Sequence, residues 1–359
     1  MEEGILVRAQ TLKAFVARAL QRLDVPAEDA TTVADILVAA DLRGIDSHGV
    51  ARLRRYVSGL HNGSIKARPN IRAAYESPCS ATLNGDSGLG HVIGKYAMEL
   101  AIQKAKSVGI GVIAVRNSTH YGIAGYYAMM ALPHDMIGCS LTSARSRIVP
   151  TFGRRKWHGT NPIAVAVPSG KELPFVLDMA TAVVPDGKIE VYSRLRKPLP
   201  VGWVINEQGE PDTDATDVLM RMRKDQGGGT LPLGGQGETF GGHKGYGLGL
   251  LVDILSGVLS GAGWGPLISD SGWANLGHFF AAMRVDLFRP IDEFKAEMDT
   301  MIRRLKAEPK APGHDRIYIH GEKEFESTQE RLASGIPLHP LVIEDLQKIA
   351  AELGVEYDL

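Results

Sequence analysis

The chain is poor in cysteine: Cys79 and Cys139 are its only two among 359 residues. Two thiols build neither a disulfide framework nor a Cys-x-x-Cys metal knuckle, and such low usage points to a reducing compartment. An excess of one charge is missing too. Lysines and arginines number 40 against 41 aspartates and glutamates, a formal net charge of -1. No global field therefore draws the chain to nucleic acid or to an anionic membrane. Basic clusters exist at Arg52-Leu53-Arg54-Arg55 and Arg154-Arg155-Lys156, but they are short and without interleaved aromatics. They read as solvated faces or anion sites. Long apolar runs are also lacking. The longest, Gly245 to Leu259, is rich in glycine and broken by Asp253, so it reads as a buried helix and not a membrane span. Met1-Glu2-Glu3-Gly4 has no basic region followed by an apolar stretch. No signal peptide is expected, and a cytoplasmic location is the default.

Several catalytic signatures are absent as well. No histidine or carboxylate set has a spacing such as His-Glu-x-x-His, so no metal site is expected. There is no Gly-x-Ser-x-Gly elbow of a serine hydrolase. Gly88-Leu89-Gly90-His91-Val92-Ile93-Gly94 imitates a dinucleotide fingerprint, but its third glycine comes four residues after the second instead of three. The next strand ends at Val115-Arg116, with no carboxylate to hold an adenosine ribose, so an ordinary Rossmann domain is not expected. The cluster from Gly241 to Gly247 lacks the Gly-Lys-Ser/Thr of a Walker loop. Its backbone N–H groups and Lys244 could still hold a phosphate or a carboxylate, or form only a tight turn.

What is present is an ordinary globular composition, 44% apolar and 23% charged, in a chain long enough for two domains. Helical spacing is clear in the first 62 residues. Leu12, Phe15, Val16, Ala19, Leu20 and Leu23 mark one helix. Pro26 opens a second, with Val33, Ile36, Leu37 and Ala40 on one face. A third is predicted from Ser47 to Asn62-Gly63, carrying Val50, Leu53, Tyr56, Val57 and Leu60. A mixed α/β centre follows. Strands are predicted at 81–83, 110–115, 136–141, 163–167, 175–177 and 279–285, and helices at 92–106, 123–132 and 245–260. The Gly-, Pro- and Asp-rich stretch from Lys197 to Gly242 reads as mostly loop, with one short strand at 202–205. The tail from Ile291 is helical again, with an irregular stretch from Pro312 to Phe325. These elements predict an α+β fold with a helical domain at 1–70, joined in space by the C-terminal helices of 286–359, and an α/β domain at 71–285.

Two segments carry candidate chemistry. Asp46-Ser47-His48-Gly49, followed by Arg52, packs a hydroxyl, an imidazole and a guanidinium into one predicted helical turn. Ser47 would cap the helix, and His48 would lie in the positive end of its dipole, which favours the neutral ring. Arg52 would share its face and could clamp a carboxylate. Asn117-Ser118-Thr119-His120-Tyr121-Gly122 leads from a buried strand into a helix, where α/β proteins present catalytic groups. His120 there is a candidate base or electrophile. Gly159-Thr160-Asn161-Pro162 and Asp178-Met179-Ala180-Thr181 also lie at strand ends, where turn chemistry is the plainer reading.

Together with His243-Lys244-Gly245-Tyr246-Gly247 and His320-Gly321-Glu322-Lys323, these segments give the chain its resemblance, from about Leu12 to Val355, to the type 2 malate/L-lactate dehydrogenases. These are NAD(P)-dependent oxidoreductases without a Rossmann fold. The resemblance implies a helical domain plus a nicotinamide-binding domain on a mostly antiparallel mixed sheet, usually in a homodimer. It implies Ser47 and His48 as a proton-relay pair, and Arg52 and Thr160 as substrate contacts. His120 would lie at the nicotinamide and competes with His48 as base. Tyr121, Gly122, Ser143, Asp178, Met179, Ala180, Lys244, Gly321, Glu322 and Lys323 fall at or beside cofactor positions. Asp186, Gly187 and Lys188 fall where some members place a further relay or substrate group. Three residues depart from the pattern: Ala144 replaces a common serine, Phe152 stands where a Gly-Gly pair is usual, and Lys188 stands where imino-acid reductases carry an acid.

The expected reaction is reversible hydride transfer between NAD or NADP and C2 of a small 2-hydroxy acid, of the malate or lactate type. Arg52 would clamp the carboxylate, and His48 is favoured over His120 as the general base. The alternatives are a reductase of cyclic imino acids and a non-catalytic small-ligand binding protein on the same fold.

Overall fold

The computed structural model describes residues 4–224, 226–268 and 275–359. Met1 to Glu3, where no signal peptide is expected, lie outside the described residues. The chain opens with a short strand, β1 (Ile5–Val7), and three helices, α1 (Ala9–Gln21), α2 (Ala27–Leu42) and α3 (Leu53–His61). The apolar positions that set the helical spacing, among them Leu12, Phe15, Val16, Val33 and Leu37, are all buried in one core. The central part then runs β2 (Arg72–Glu76), β3 (Ser80–Asn84), α4 (Gly90–Val108), β4 (Ile110–Ser118), α5 (Ala124–Met129), β5 (Met136–Thr142), β6 (Ile163–Val167) and β7 (Phe175–Met179). Next come α6 (Asp186–Arg194), β8 (Val204–Ile205), α7 (Ala215–Lys224), β9 (Gly229–Thr230), α8 (Gly242–Val252) and β10 (Leu276–Arg284). The tail comprises α9 (Ile291–Ala307), α10 (Glu322–Ser334), β11 (Ile336–Leu338) and α11 (Pro340–Leu353).

Seven strands form the main sheet in the order β2-β3-β4-β10-β5-β6-β7. Only β3 and β4 run parallel, and α4 is their crossover. The other adjacent pairs are antiparallel. This is the non-Rossmann, mostly antiparallel mixed sheet, and the glycine run before α4 belongs to its one βαβ unit. Phe280 and Ala282 of β10 pack with α4 and α5 on one face. On the other, a Cβ on Gly277 would strike the carbonyl of Ser256, in the π-helical turn Asp253–Val258 that continues α8. The sheet is therefore covered on both sides, which is why its central strands read as near-continuous apolar runs. Among the described residues no helix is long and apolar enough to cross a membrane.

The helical core takes residues from both ends of the chain. Ile343, Leu346, Ile349 and Leu353 of α11 pack with α1, α2 and α3. β1 pairs antiparallel with β11, Ile5 opposite Leu338. Residues 197–242 are more structured than their composition implies. Val184, Ile189, Leu199, Val204, Ala215, Val218 and Met222 form a small third core between α6 and α7. The expected loop is corrected there: polar turn residues dominate the composition, but a few spaced apolar side chains suffice to seat a ten-residue helix.

Phe280 is fully buried and meets the rings of Tyr121, Tyr127 and His278. Replacing it by alanine should cost about 3–5 kcal/mol, read as a lowered midpoint of urea unfolding. A loss below about 1 kcal/mol would contradict the central place given to β10.

Candidate active site

Between α2 and α3 the backbone makes two tight 3₁₀ turns, Asp46–His48 and Val50–Arg52. This corrects the expected helix start: α3 begins at Leu53, and Ser47 caps nothing. The break is at Gly49, whose ψ of -149° is not helical. A Cβ on Gly49 would collide with the Asp41 carboxylate, which is buried and accepts the Val50 N–H at 2.9 Å. Asp41 thus ties the turn to the end of α2. The Ser47 hydroxyl is used instead on the neighbouring ring, 2.8 Å from His48 Nδ1. Arg52 reaches back to the Ser47 carbonyl at 2.6 Å. The compact turn exists, then, but it is stapled by Asp41 and Arg52 and not by a helix cap.

His48 is half-buried, and its ring stacks on His120 with centroids 5.6 Å apart. Burial, with Arg52 and Arg55 alongside, pushes its pKa down to about 4. The neutral ring was expected; its cause is desolvation and neighbouring guanidiniums, not a helix dipole. His120 lies in the loop between β4 and α5. Burial, then Arg55, His48, His91 and Arg52, hold it well below the usual range. Its Nδ1 meets the Tyr56 hydroxyl at 2.7 Å. Tyr56 is fully buried and packs edge-on against His91, ring centroids 4.7 Å apart. Burial pushes His91 down to about 3, so this imidazole is a neutral wall.

The guanidiniums divide their work. Arg54 points away, to Asp345 and Glu352 of α11. Arg55 is half-buried and feels both Arg145 and Arg52, and Arg52 and Arg55 together bear on His48 and His120. Asp186 opens α6, and its pKa is raised by burial against the pull of Arg147, Lys156 and Arg52. Its nearer oxygen lies 3.6 Å from Arg147 Nε, while Oδ1 is buried without a hydrogen-bond partner. Gly187 is open to solvent space, and Lys188 Nζ lies 5.3 Å from the centre of the Trp203 ring.

A cleft of ≈ 260 Å³ is lined by Arg43, Ile45, Val176, Asp178, the segment Tyr318 to Gly321, Lys323 and Glu324. Arg43 precedes His48 by five residues, and Gly125, whose N–H bonds Asp178 at 2.7 Å, follows His120 by five. Burial raises Asp178 to about 6. A second cavity, of ≈ 270 Å³, includes Met136 and Arg284, which pair at the far end of β5 and β10. It contains none of the expected site residues.

Residues 7–347 match the family model described as malate/L-lactate dehydrogenase. The chain belongs to that family. Family membership makes this dehydrogenase one of those acting on 2-hydroxy acids with a nicotinamide cofactor. It is 50% identical to a malate dehydrogenase of Pyrococcus horikoshii, over 99% of this chain and 97% of the relative. It is 38% identical to an L-sulfolactate dehydrogenase of Methanocaldococcus jannaschii, over 99% of each chain. A crystal structure of malate dehydrogenase from Entamoeba histolytica superposes with a TM-score of 0.94 at 37% identity, over 99% of this chain and 100% of that one.

The donor set of the cleft fits a dinucleotide. Asp178 would hold a ribose, and Arg43 and Lys323 would meet phosphates, while the Arg316 guanidinium stands 4.2 Å from the centre of the Tyr318 ring. Lys323 Nζ stands 4.4 Å from the centre of the Tyr318 ring. Other residues of the dehydrogenase's expected cofactor set are placed less directly. Glu322 is buried and bonded to Lys306, Arg316 and the Ile319 N–H. Tyr121 is in the core, bonded to Ser140. Ser143 exchanges hydrogen bonds with the backbone of Gly277. Gly122 has the positive φ of 84° that favours glycine, and Lys244 is exposed in the first turn of α8. Met179 ends β7, with Ala180 directly after it. Thr160 accepts the Thr181 N–H at its carbonyl, and the adjacent buried Asn161 ties Ala144 N to Gly249 O. Phe152 keeps the glycine-like conformation, at φ 66°, with its ring 84% exposed.

Residues that sequence reasoning missed are Asp41, Arg55, Tyr56 and His91. Only Arg55 carried a signal, as part of the short basic cluster. Asp41 gives a pH test. Burial raises it from an ordinary value of 3.8 to about 7. The folded state holds this proton more tightly, so the stabilisation is complete below about pH 4 and is lost as pH rises through 7. Asp41→Asn keeps an acceptor for Val50. Its urea midpoint relative to wild type should rise between about pH 5 and pH 8, and a constant difference would contradict the assignment.

Proposed function

We propose that this dehydrogenase interconverts a 2-hydroxy acid bearing a second anionic group, of the malate type, and its 2-oxo acid. When bound, the nicotinamide supplies the hydride acceptor, or donor in the reverse direction. Arg52 holds the C1 carboxylate. His48 takes the hydroxyl proton, and the exposed Ser47 hydroxyl at its Nδ1 gives that proton a route to water. His120 lies beside the nicotinamide. The observation that carries the reading is the Ser47–His48 contact of 2.8 Å on a ring held neutral beside Arg52. A general base of this kind is worth ~10²–10⁴-fold in rate.

The second anionic group is supported by the positive field that Arg52 and Arg55 place over His48 and His120. The malate and sulfolactate named for the two relatives each carry a second acid group. Lactate and cyclic imino acids have none to match. The cofactor is NAD or NADP. Initial rates of oxaloacetate and pyruvate reduction with NADH and NADPH test the proposal. Oxaloacetate should be preferred with at least one cofactor, and His48→Gln should lower kcat by about 10²-fold or more. Preference for pyruvate, or near-normal turnover in His48→Gln, would overturn it.

We also infer a homodimer. Leu251, Ile254 and Val258 are exposed three and four residues apart along α8 and its π-helical turn. Such an apolar stripe is what a self-associating helix presents. Light scattering on the eluting protein should give twice the chain mass, and Ile254→Glu should give the monomer. A monomeric wild type at micromolar concentration would refute this.

A further inference from the structure

We propose that Tyr56 is a positioning residue that fixes His120 in the tautomer carrying its proton on Nε2. His120 then meets the substrate oxygen as a hydrogen-bond donor, and proton acceptance falls to His48. The proposal rests on the reading of this site given above.

The argument is one of donors and acceptors. The Tyr56 side chain is fully buried on α3, and its hydroxyl lies 2.7 Å from His120 Nδ1. Burial pushes the phenol's pKa up, so it stays protonated. A buried hydroxyl gives its proton to the acceptor in reach, because leaving it unused forfeits a hydrogen bond. The Gly122 N–H faces the same ring nitrogen at 3.4 Å. Two donors converge on Nδ1, so Nδ1 carries the lone pair. A neutral imidazole has one N–H, which must then sit on Nε2. The edge-on His91 ring keeps the phenol from swinging away.

His48 is built the other way. Its Nδ1 faces the hydroxyl of Ser47, an exposed residue that can accept as readily as donate. With Nδ1–H bonded to Ser47, Nε2 presents a lone pair. In oxidation the C2–H bond gives its hydride to the nicotinamide and the O–H proton passes to His48 Nε2. His120 Nε2–H transfers nothing, and its bond to the substrate oxygen is strongest in the transition state, when that oxygen carries partial negative charge; reduction reverses each transfer. The two stacked rings are therefore not interchangeable.

Long-range ¹H–¹⁵N spectra of the full-length enzyme labelled at histidine read the tautomer directly, with His120→Gln assigning the signals by their loss. Wild-type His120 should show the Nε2–H pattern, an observation that needs no activity and no Tyr56 variant. Tyr56→Phe should add a substantial Nδ1–H fraction and lower kcat roughly 10-fold, the worth of one hydrogen bond, with KM changed less than about twofold. An Nδ1–H pattern in wild type overturns the proposal. So does a Tyr56→Phe enzyme in which tautomer and kcat do not change together. Failure of the dehydrogenase reading would appear instead as absent turnover in wild type, with the tautomer unaffected.

Discussion

The hydrogen bond between Tyr56 and His120 joins two separately packed bodies. Tyr56 belongs to the helical core, while His120 follows strand β4 of the sheet. The stacked histidines of the candidate site lie along that seam. The turn with Ser47, His48 and Arg52 comes from the helical side, and the loop of His120 and the Asp178 carboxylate come from the sheet side. Packing the two bodies strips water from the imidazoles, and desolvation then sets their charge. Neutral histidines are thus a product of the docking of one core on another.

The same docking sorts the guanidiniums at the start of α3. Arg52, Arg54 and Arg55 are close in sequence, yet they serve different ends: Arg52 ends the 3₁₀ turn before α3, and the helix points Arg54 and Arg55 in different directions. Arg54 braces α3 against α11, whereas Arg52 and Arg55 face the histidines. A positive field over neutral rings favours an anionic substrate and opposes protonation of the base.

Legibility in the sequence followed the strength of local pattern. The strand at 163–167 and the first two helices stand out because their apolar periods are long and unbroken. The Ser47-His48 and His120 segments stand out because they concentrate reactive side chains at chain reversals. The start of α3 was misplaced, because Ser47 resembles a cap while the deciding contact comes from Asp41 on another helix. Tyr56 looked like one more core position, since its place in the apolar spacing of α3 says nothing about where its hydroxyl ends. Helix α7 and the three-residue strands β1 and β11 were hidden for a related reason. The short strands are held by partners far away in the chain, which no local window contains.

The pairing of β1 with β11 has a consequence for the order of assembly. The sheet draws its strands from one continuous stretch, Arg72 to Arg284, and has all of them once that stretch is made. The helical body cannot finish until α11, ending at Leu353, arrives to cover α1 and α3. On a ribosome, where domains form as they emerge, the first residues synthesised wait for the last. Between Arg284 and Leu353 the nascent chain therefore has every strand of its sheet while the helical body is still without its last helix.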